Sequence, residues 1–264
     1  MFPAGRLTDG GDANVELMTG QLWSLTLLGA VDLSGPDSAA AESVLVQAKH
    51  VGLLAHLAVE PVVTRGRRYS RRDQLVGLLW PELDQTHART ALRRVVHQIR
   101  GALGAGVLVS RGDEELSLAE EIVGSDVRDF VEAISKNHLA RALELYSGEL
   151  MPGFHLTGCG EFERWLDNQR EHFRREAGAS AWALAKRLES EDELSMAGRV
   201  ARRAVHYSWD DERMLRRALE MLERLGDRSG GLQLYAEFCR RLRADFDAKP
   251  APETVALAER LRTA

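Results

Sequence analysis

The stretch DQTHARTALRRVVHQIRGAL, residues 84–103, constrains this chain more than any other. At about 100° per residue, Ala88, Ala91, Leu92, Val95, Val96, Ile99 and Leu103 fall on one broad side of a helix. Thr86, Thr90, Arg93, Arg94 and His97 fall on the other, with Arg89 and Arg100 on its border. The apolar side requires a core. The polar side carries four arginines, a histidine and two threonines, and no carboxylate. The arginine fork matches guanine edges and phosphate oxygens in bidentate geometry. An ordinary amphipathic helix with a solvated basic face has the same pattern, so the surrounding sequence has to decide between the two.

The surroundings are basic on a chain that is acidic as a whole. The 264 residues carry a formal net charge of −5. Residues 62–101 hold nine arginines (65, 67, 68, 71, 72, 89, 93, 94 and 100) against Asp73, Glu82 and Asp84, a local +6 that leaves −11 elsewhere. For a nucleic-acid partner the distribution matters more than the sum. A hydrophobic content of 44% and a charged content of 28% are those of a globular protein of one large or two ordinary domains. Cys159 and Cys239 lie 80 residues apart and form neither a disulfide framework nor a metal-ligand spacing. No apolar run approaches a membrane span, and the start, MFPAGRLTDGGDANVELMTG, lacks the pattern of a signal peptide. These features predict a cytoplasmic, nucleoid-associated protein with a loose tail over residues 1–20.

Along the chain, LWSLTLLGAVDL (22–33) predicts two short strands with a tight bend at Gly29, and residues 43–46 a third. QAKHVGLLAHLAVE (47–60) predicts a helix stopped by Pro61. TRGRRY (64–69) reads as an exposed basic loop. Ser70 is a candidate N-cap, with Asp73 completing a capping box, for the helix RRDQLVGLLW. That helix buries Leu75, Leu78, Leu79 and Trp80. The short link PELDQ then leads into the 84–103 helix. Two helices with a tight connection, the second bearing the basic face, form a helix-turn-helix, and Gly104 stops the second. VLVSRGDEELSL (107–118) predicts a β-hairpin with Arg-Gly-Asp near its turn, in the position of the wing of a winged helix.

Strands, three helices and a hairpin in this order resemble the winged-helix output domain of bacterial response regulators. The version it is most similar to belongs to the SARP family (Streptomyces antibiotic regulatory proteins). The residues that carry the resemblance are LTLLGAVDL, LLAHLAVE, and SRRDQLVGLLWPE running into ARTALRRVVHQIRGALG.

From Gly124–Ser125 onward the sequence reads as helix: 126–134, 139–146, a Gly-rich connector SGELMPGFHLTGCGEF, then 161–188, 192–207, 211–225, 229–246 and 252–261. Ala185, Leu188, Asp192, Ala197, Ala201 and Ala204 map onto Leu219, Leu222, Gly226, Gly231, Tyr235 and Phe238 at an offset of 34. This is the period of tetratricopeptide repeats; an ordinary helical bundle also favours small residues at helix crossings. Trp165, Trp182 and Trp209 read as core of amphipathic helices. RALELYSGELMPGF, EFERWLDNQREHFRREA and LYAEFCRRLRADFDAKPAPETVALAERLR resemble the bacterial transcriptional activator domain that follows the winged helix in SARP-type proteins. The fold class expected is therefore mainly α: a winged helix-turn-helix over 21–124 followed by an all-α tetratricopeptide-like domain over 125–264. Without a G-x-x-x-x-G-K-[ST] motif, the resemblance implies the small form lacking an ATPase module.

Nothing in the sequence asks for catalysis or a cofactor. GALGAG (101–106) follows a helix and reads as a cap and turn, no nucleophile elbow is present, and His155 with Cys159 is too few ligands for zinc. The function expected is a sequence-specific regulator of transcription, an activator. The resemblance implies binding to directly repeated promoter sites, contact with RNA polymerase holoenzyme and homodimers on DNA. Arg89, Thr90, Arg93 and Arg94, in the N-terminal half of the recognition helix, are placed for bases, and His97 and Arg100 for phosphates. Arg71 and Arg72 start the preceding helix and are placed for backbone phosphate. Arg111 at the wing turn is placed for the minor groove or is an exposed turn arginine, with Glu114 and Glu115 repelling phosphate beside it. The competing reading is a protein-interaction scaffold whose winged helix no longer binds DNA.

Overall fold

The computed structural model describes residues 22–64 and 68–263. The tail at 1–20 and Arg65 and Arg67 of the basic loop lie outside them. The described residues divide into two compact units, the first comprising 22–27, 31–128 and 155–161, the second 28–30, 129–154 and 162–263.

The first unit opens with strands β1 (Trp23–Thr26) and β2 (Asp32–Ser34), antiparallel with Leu25 opposite Leu33. Residues 43–46, read from sequence as a third strand, instead close helix α1 (Ser38–Leu45), with Val46 at its C-cap. Its N-cap Asp37 accepts from Ala40 N at 3.0 Å, and the alanine run behind this cap has the best intrinsic helix propensity. Helix α2 (Ala48–Val63) does not stop at Pro61 but runs two residues beyond it. In the last turn a proline forfeits a single intrahelical bond, and Thr64 closes the end by donating its N–H to Glu60 O at 3.0 Å.

Strand β3 (Ser70–Arg71) pairs with the later wing and precedes helix α3 (Arg72–Leu79). Ser70 is therefore not the N-cap. It is a buried strand residue opposite Leu116, and Arg71 stands at the cap position without a side-chain bond. The exposed α3 terminus is satisfied differently, by Arg72 N donating to Glu114 O at 2.8 Å. Helix α4 (Gln85–Leu103) follows, capped by Asp84, which accepts from Thr86 N and His87 N. Gly104, at φ 108°, terminates it. Strands β4 (Leu108–Arg111) and β5 (Glu115–Leu118) form the hairpin, and β6 (Val123–Ser125) returns to pair in parallel with β1. The two sheets have strand orders β2-β1-β6 and β3-β5-β4. The core between them and the helices holds Leu25, Leu53, Leu75, Leu79, Leu92, Ile99 and Leu116, all at most 1% exposed. Trp23 anchors the first strand to α4 by donating its indole N–H to Leu103 O at 2.9 Å. This is a winged helix.

Helix α5 (Asp126–Ser135) spans the division between the units. It is followed by α6 (Leu139–Leu145), α7 (Gly160–Ser190), α8 (Leu194–Tyr207), α9 (Glu212–Arg224), α10 (Arg228–Phe246) and α11 (Pro252–Thr263). In the second unit α8 packs on α9, α9 on α10, and α11 on both α9 and α10. Its core holds Ala185, Ala201, Ala204, Leu215, Leu219, Leu222, Phe238 and Leu261. Trp165, Trp182 and Trp209 are partly exposed rather than fully enclosed.

The 34-residue offset is visible in the hydrogen bonds of the turns. Glu193 N donates to Leu188 O and Asp227 N to Leu222 O, both at 2.9 Å; Asp192 N donates to Glu189 O and Gly226 N to Glu223 O. Both turns therefore end their helices in the same left-handed cap, with Asp192 at φ 63° and Gly226 at φ 74°. Glu189 and Glu223, at the same offset, each hold an arginine of a later helix, Arg224 at 2.9 Å and Arg260 at 2.6 Å, although these arginines are 36 residues apart. The helical hairpins are tetratricopeptide-like. Since an L residue in this region is strained and glycine is not, Asp192→Gly is expected to stabilise the protein by up to about 1 kcal/mol. Gly226→Asp is expected to cost a similar amount. Urea unfolding of the two variants checks the pair.

Candidate nucleic-acid interface

Helix α4 turns its apolar stripe inward, and Ala88, Leu92, Val95, Val96, Ile99 and Leu103 are all buried. The i, i+3, i+4, i+7 series Thr90, Arg93, Arg94 and His97 is thereby left exposed. The side chains of Arg71, Arg93, Arg94 and His97 make no hydrogen bond or ion pair among the described residues. Thr90 is exposed and donates its hydroxyl back to Thr86 O at 2.9 Å, a bond local to the helix.

The other arginines on the sequence-derived surface are engaged. Arg89 is clamped by Asp73 of α3 at 2.6 Å and Glu114 of the wing turn at 3.5 Å. The Arg89 guanidinium holds the Asp73 carboxyl below its usual range. Arg100 donates through Nε and Nη2 to Leu108 O, the latter at 2.7 Å, and to Ser110 Oγ at 3.0 Å. Arg72 donates to the same Ser110 hydroxyl at 3.0 Å. Arg111 pairs with Glu115 across the hairpin and lies 4.5 Å over the Tyr69 ring.

The site therefore has two layers. Arg89 and Arg100 tie α4 to α3 and to the wing, while Arg93, Arg94, His97 and Arg71 are presented outward. Beneath them the positive charge is crowded. Burial, and then the neighbouring charges of Arg100 and Arg93, push the Arg72 guanidinium below its ordinary range. An anion docked here would relieve that repulsion. Ser110, Asp73 and Tyr69 were not legible as site residues in the sequence, and Glu114 was legible only as a repelling charge at the wing, not as a partner of Arg89. Asp73 and Arg89 are 16 positions apart, and only the crossing of α3 and α4 joins them.

Among the described residues no group of three His, Cys, Asp or Glu is arranged to hold a metal ion, and no helix is long and apolar enough to cross a membrane. Cys159 is buried and donates its thiol to Leu79 O at 3.3 Å.

No curated protein matches the sequence. Among solved structures, EmbR of Mycobacterium tuberculosis, determined in complex with a low-affinity phosphopeptide, is similar with a TM-score of 0.59 and 19% identity. The similarity covers 92% of this chain and 65% of that one, so the chain spans just under two thirds of the EmbR chain. At this identity the likeness is one of fold. The bacterial transcriptional activator domain family matches residues 125–262, more than half of the chain. With a winged helix ahead of a tetratricopeptide-like unit that carries this match, the chain belongs to the bacterial transcriptional activator domain family.

Proposed function

We propose that this protein is a SARP-type transcriptional regulator that binds double-stranded DNA in a sequence-specific manner and activates transcription from promoters with directly repeated sites. Helix α4 enters the major groove, with Arg93, Arg94 and Thr90 facing base edges and His97 at the neighbouring backbone. Arg71 and Arg72 contact phosphate from the start of α3, where the helix dipole adds to their charge. Arg89 and Arg100 act through geometry, holding α4 against α3 and the wing. Arg111, neutralised by Glu115, contributes less at the minor groove. Residues 21–124 are the DNA-binding part. Residues 125–264 are the assembly part, which meets RNA polymerase and a second copy of the chain on DNA. The observation that carries this reading is the contrast on one helix surface: Arg89 and Arg100 are held, while Arg93 and Arg94 are exposed and without a carboxylate partner among the described residues.

The test is selection from random duplex DNA by the purified full chain at two salt concentrations. An enriched motif, repeated at about one helical turn, supports the reading. Weak, unselective and steeply salt-dependent binding leaves only an electrostatic patch. Absence of binding at low salt favours the protein-interaction scaffold.

A further inference from the structure

In the second unit, α8 and α10 frame a cavity of about 310 Å³. Its apolar floor is Val205, Leu234 and Phe238, each at most 9% exposed. Four guanidiniums line it, those of Arg199, Arg202, Arg203 and Arg241, against a single lining carboxylate, Glu237. Two of the four are matched: Arg202 pairs with Asp227, and Arg241 with Glu237 at 3.4 Å. Arg203 donates to Leu143 O and Tyr207 Oη, and it has no carboxylate partner among the described residues. Arg199 is exposed, its contact is the Met196 sulfur, and it too lacks a carboxylate among the described residues. Trp209, at the edge of the cavity, stacks on Phe246 with ring centroids 5.9 Å apart, and Phe246 is 59% exposed. An exposed aromatic of that size beside unmatched arginines is the composition of a binding surface rather than of an ordinary solvated face.

We propose that this groove binds an acidic peptide segment of a partner protein. Carboxylates of the segment pair with Arg199, Arg203 and Arg241, one apolar side chain enters over Val205, Leu234 and Phe238, and a second packs on the Trp209–Phe246 pair. Charge complementarity selects the occupant. A nucleic-acid backbone would satisfy the arginines but leave the apolar floor empty, whereas an acidic peptide with apolar residues uses both features. The inference stands apart from the DNA-binding reading, because every residue in it lies on α8, α10 or the turn that follows α8.

The test is display selection of random 12-residue peptides on the immobilised full chain. Affinities of the enriched peptides are then measured by fluorescence anisotropy on wild type, Arg199→Glu, Arg199→Gln, Arg241→Glu and Trp209→Ala. Circular dichroism melting reports the fold of each variant, and binding to random duplex DNA is followed in parallel. The expected result is enrichment of peptides rich in Asp and Glu with at least one Leu, Ile, Phe or Trp. Each arginine reversal weakens them about tenfold or more, Arg199→Gln less, and rising salt weakens all of them. DNA binding is unchanged by these variants. Failure to enrich any peptide, enrichment without an acidic excess, or equal affinity for the charge-reversed variants overturns the proposal. So does a single-stranded oligothymidine that binds the groove more tightly than any peptide, which would assign it to nucleic acid.

Discussion

Replacing Arg93 and Arg94 with alanine is expected to abolish base preference while leaving the fold unchanged. A lost bidentate base contact costs roughly 1–3 kcal/mol, about 5- to 150-fold in Kd for each arginine that makes one. Both side chains are exposed and neither has a partner among the described residues, so unfolding stability should stay within about 0.5 kcal/mol of wild type. The measurement is anisotropy of the protein on its selected duplex and on a scrambled duplex of the same length. The two affinities should converge in the double variant. Arg71→Ala provides the contrast. As a phosphate contact it should weaken both duplexes alike and lower the salt slope by about one. If the double variant retains both affinity and preference, α4 does not read DNA through these residues.

A second large effect concerns acid. His56 lies on α2 in the core of the winged helix, 8% exposed, and burial pushes its pKa down to about 4 from the ordinary 6.5. The native state therefore holds the neutral ring, and the unfolded chain takes up the proton first. Stability is complete above pH 6.5 and falls as the pH drops toward 4, by about 3 kcal/mol from this residue alone. His50, on the same helix, is shifted in the same direction, mainly by burial, with Gln98 opposing at 3.2 Å. Carboxylates of this unit such as Asp73 and Glu115, held low by Arg89 and Arg111, also lose stabilisation in acid. The difference between wild type and His56→Leu isolates the histidine. Unfolding of both proteins from pH 7.5 to 4 should show wild type losing about 3 kcal/mol more than the variant. Parallel pH profiles would mean that the ring is protonated or solvated in the native state.

Much of this architecture was readable from residue order, because apolar periodicity states which side of an element must be buried. The stripe Ala88–Leu92–Val95–Val96–Ile99–Leu103 could only be the inner face of a helix, and its complement could only be basic. The 34-residue offset was equally legible, since the same small and apolar positions must recur wherever the same helical hairpin recurs. The turns at Asp192 and Gly226 repeat even their hydrogen bonds.

Local signals failed where two conformations compete for similar residues. The stretch SVLV (43–46) is β-branched enough to suit a strand, but the Asp37 cap and the alanines favour α1 through Leu45. Ser70 has the chemistry of an N-cap, yet pairing with Leu116 draws it into β3.

The arginines show most clearly what residue order determines and what it leaves to tertiary structure. Composition and phase placed Arg89, Arg93, Arg94 and Arg100 on one side of one helix. Only the packed unit distinguishes them: the crossing of α3 brings Asp73 to Arg89, the wing brings the Leu108 carbonyl and Ser110 to Arg100, and nothing described reaches Arg93 or Arg94. The physical reason is range. Burial of a helix face is decided within a few residues of chain, whereas the partner of a charge is decided by whichever distant element arrives within about 4 Å of it.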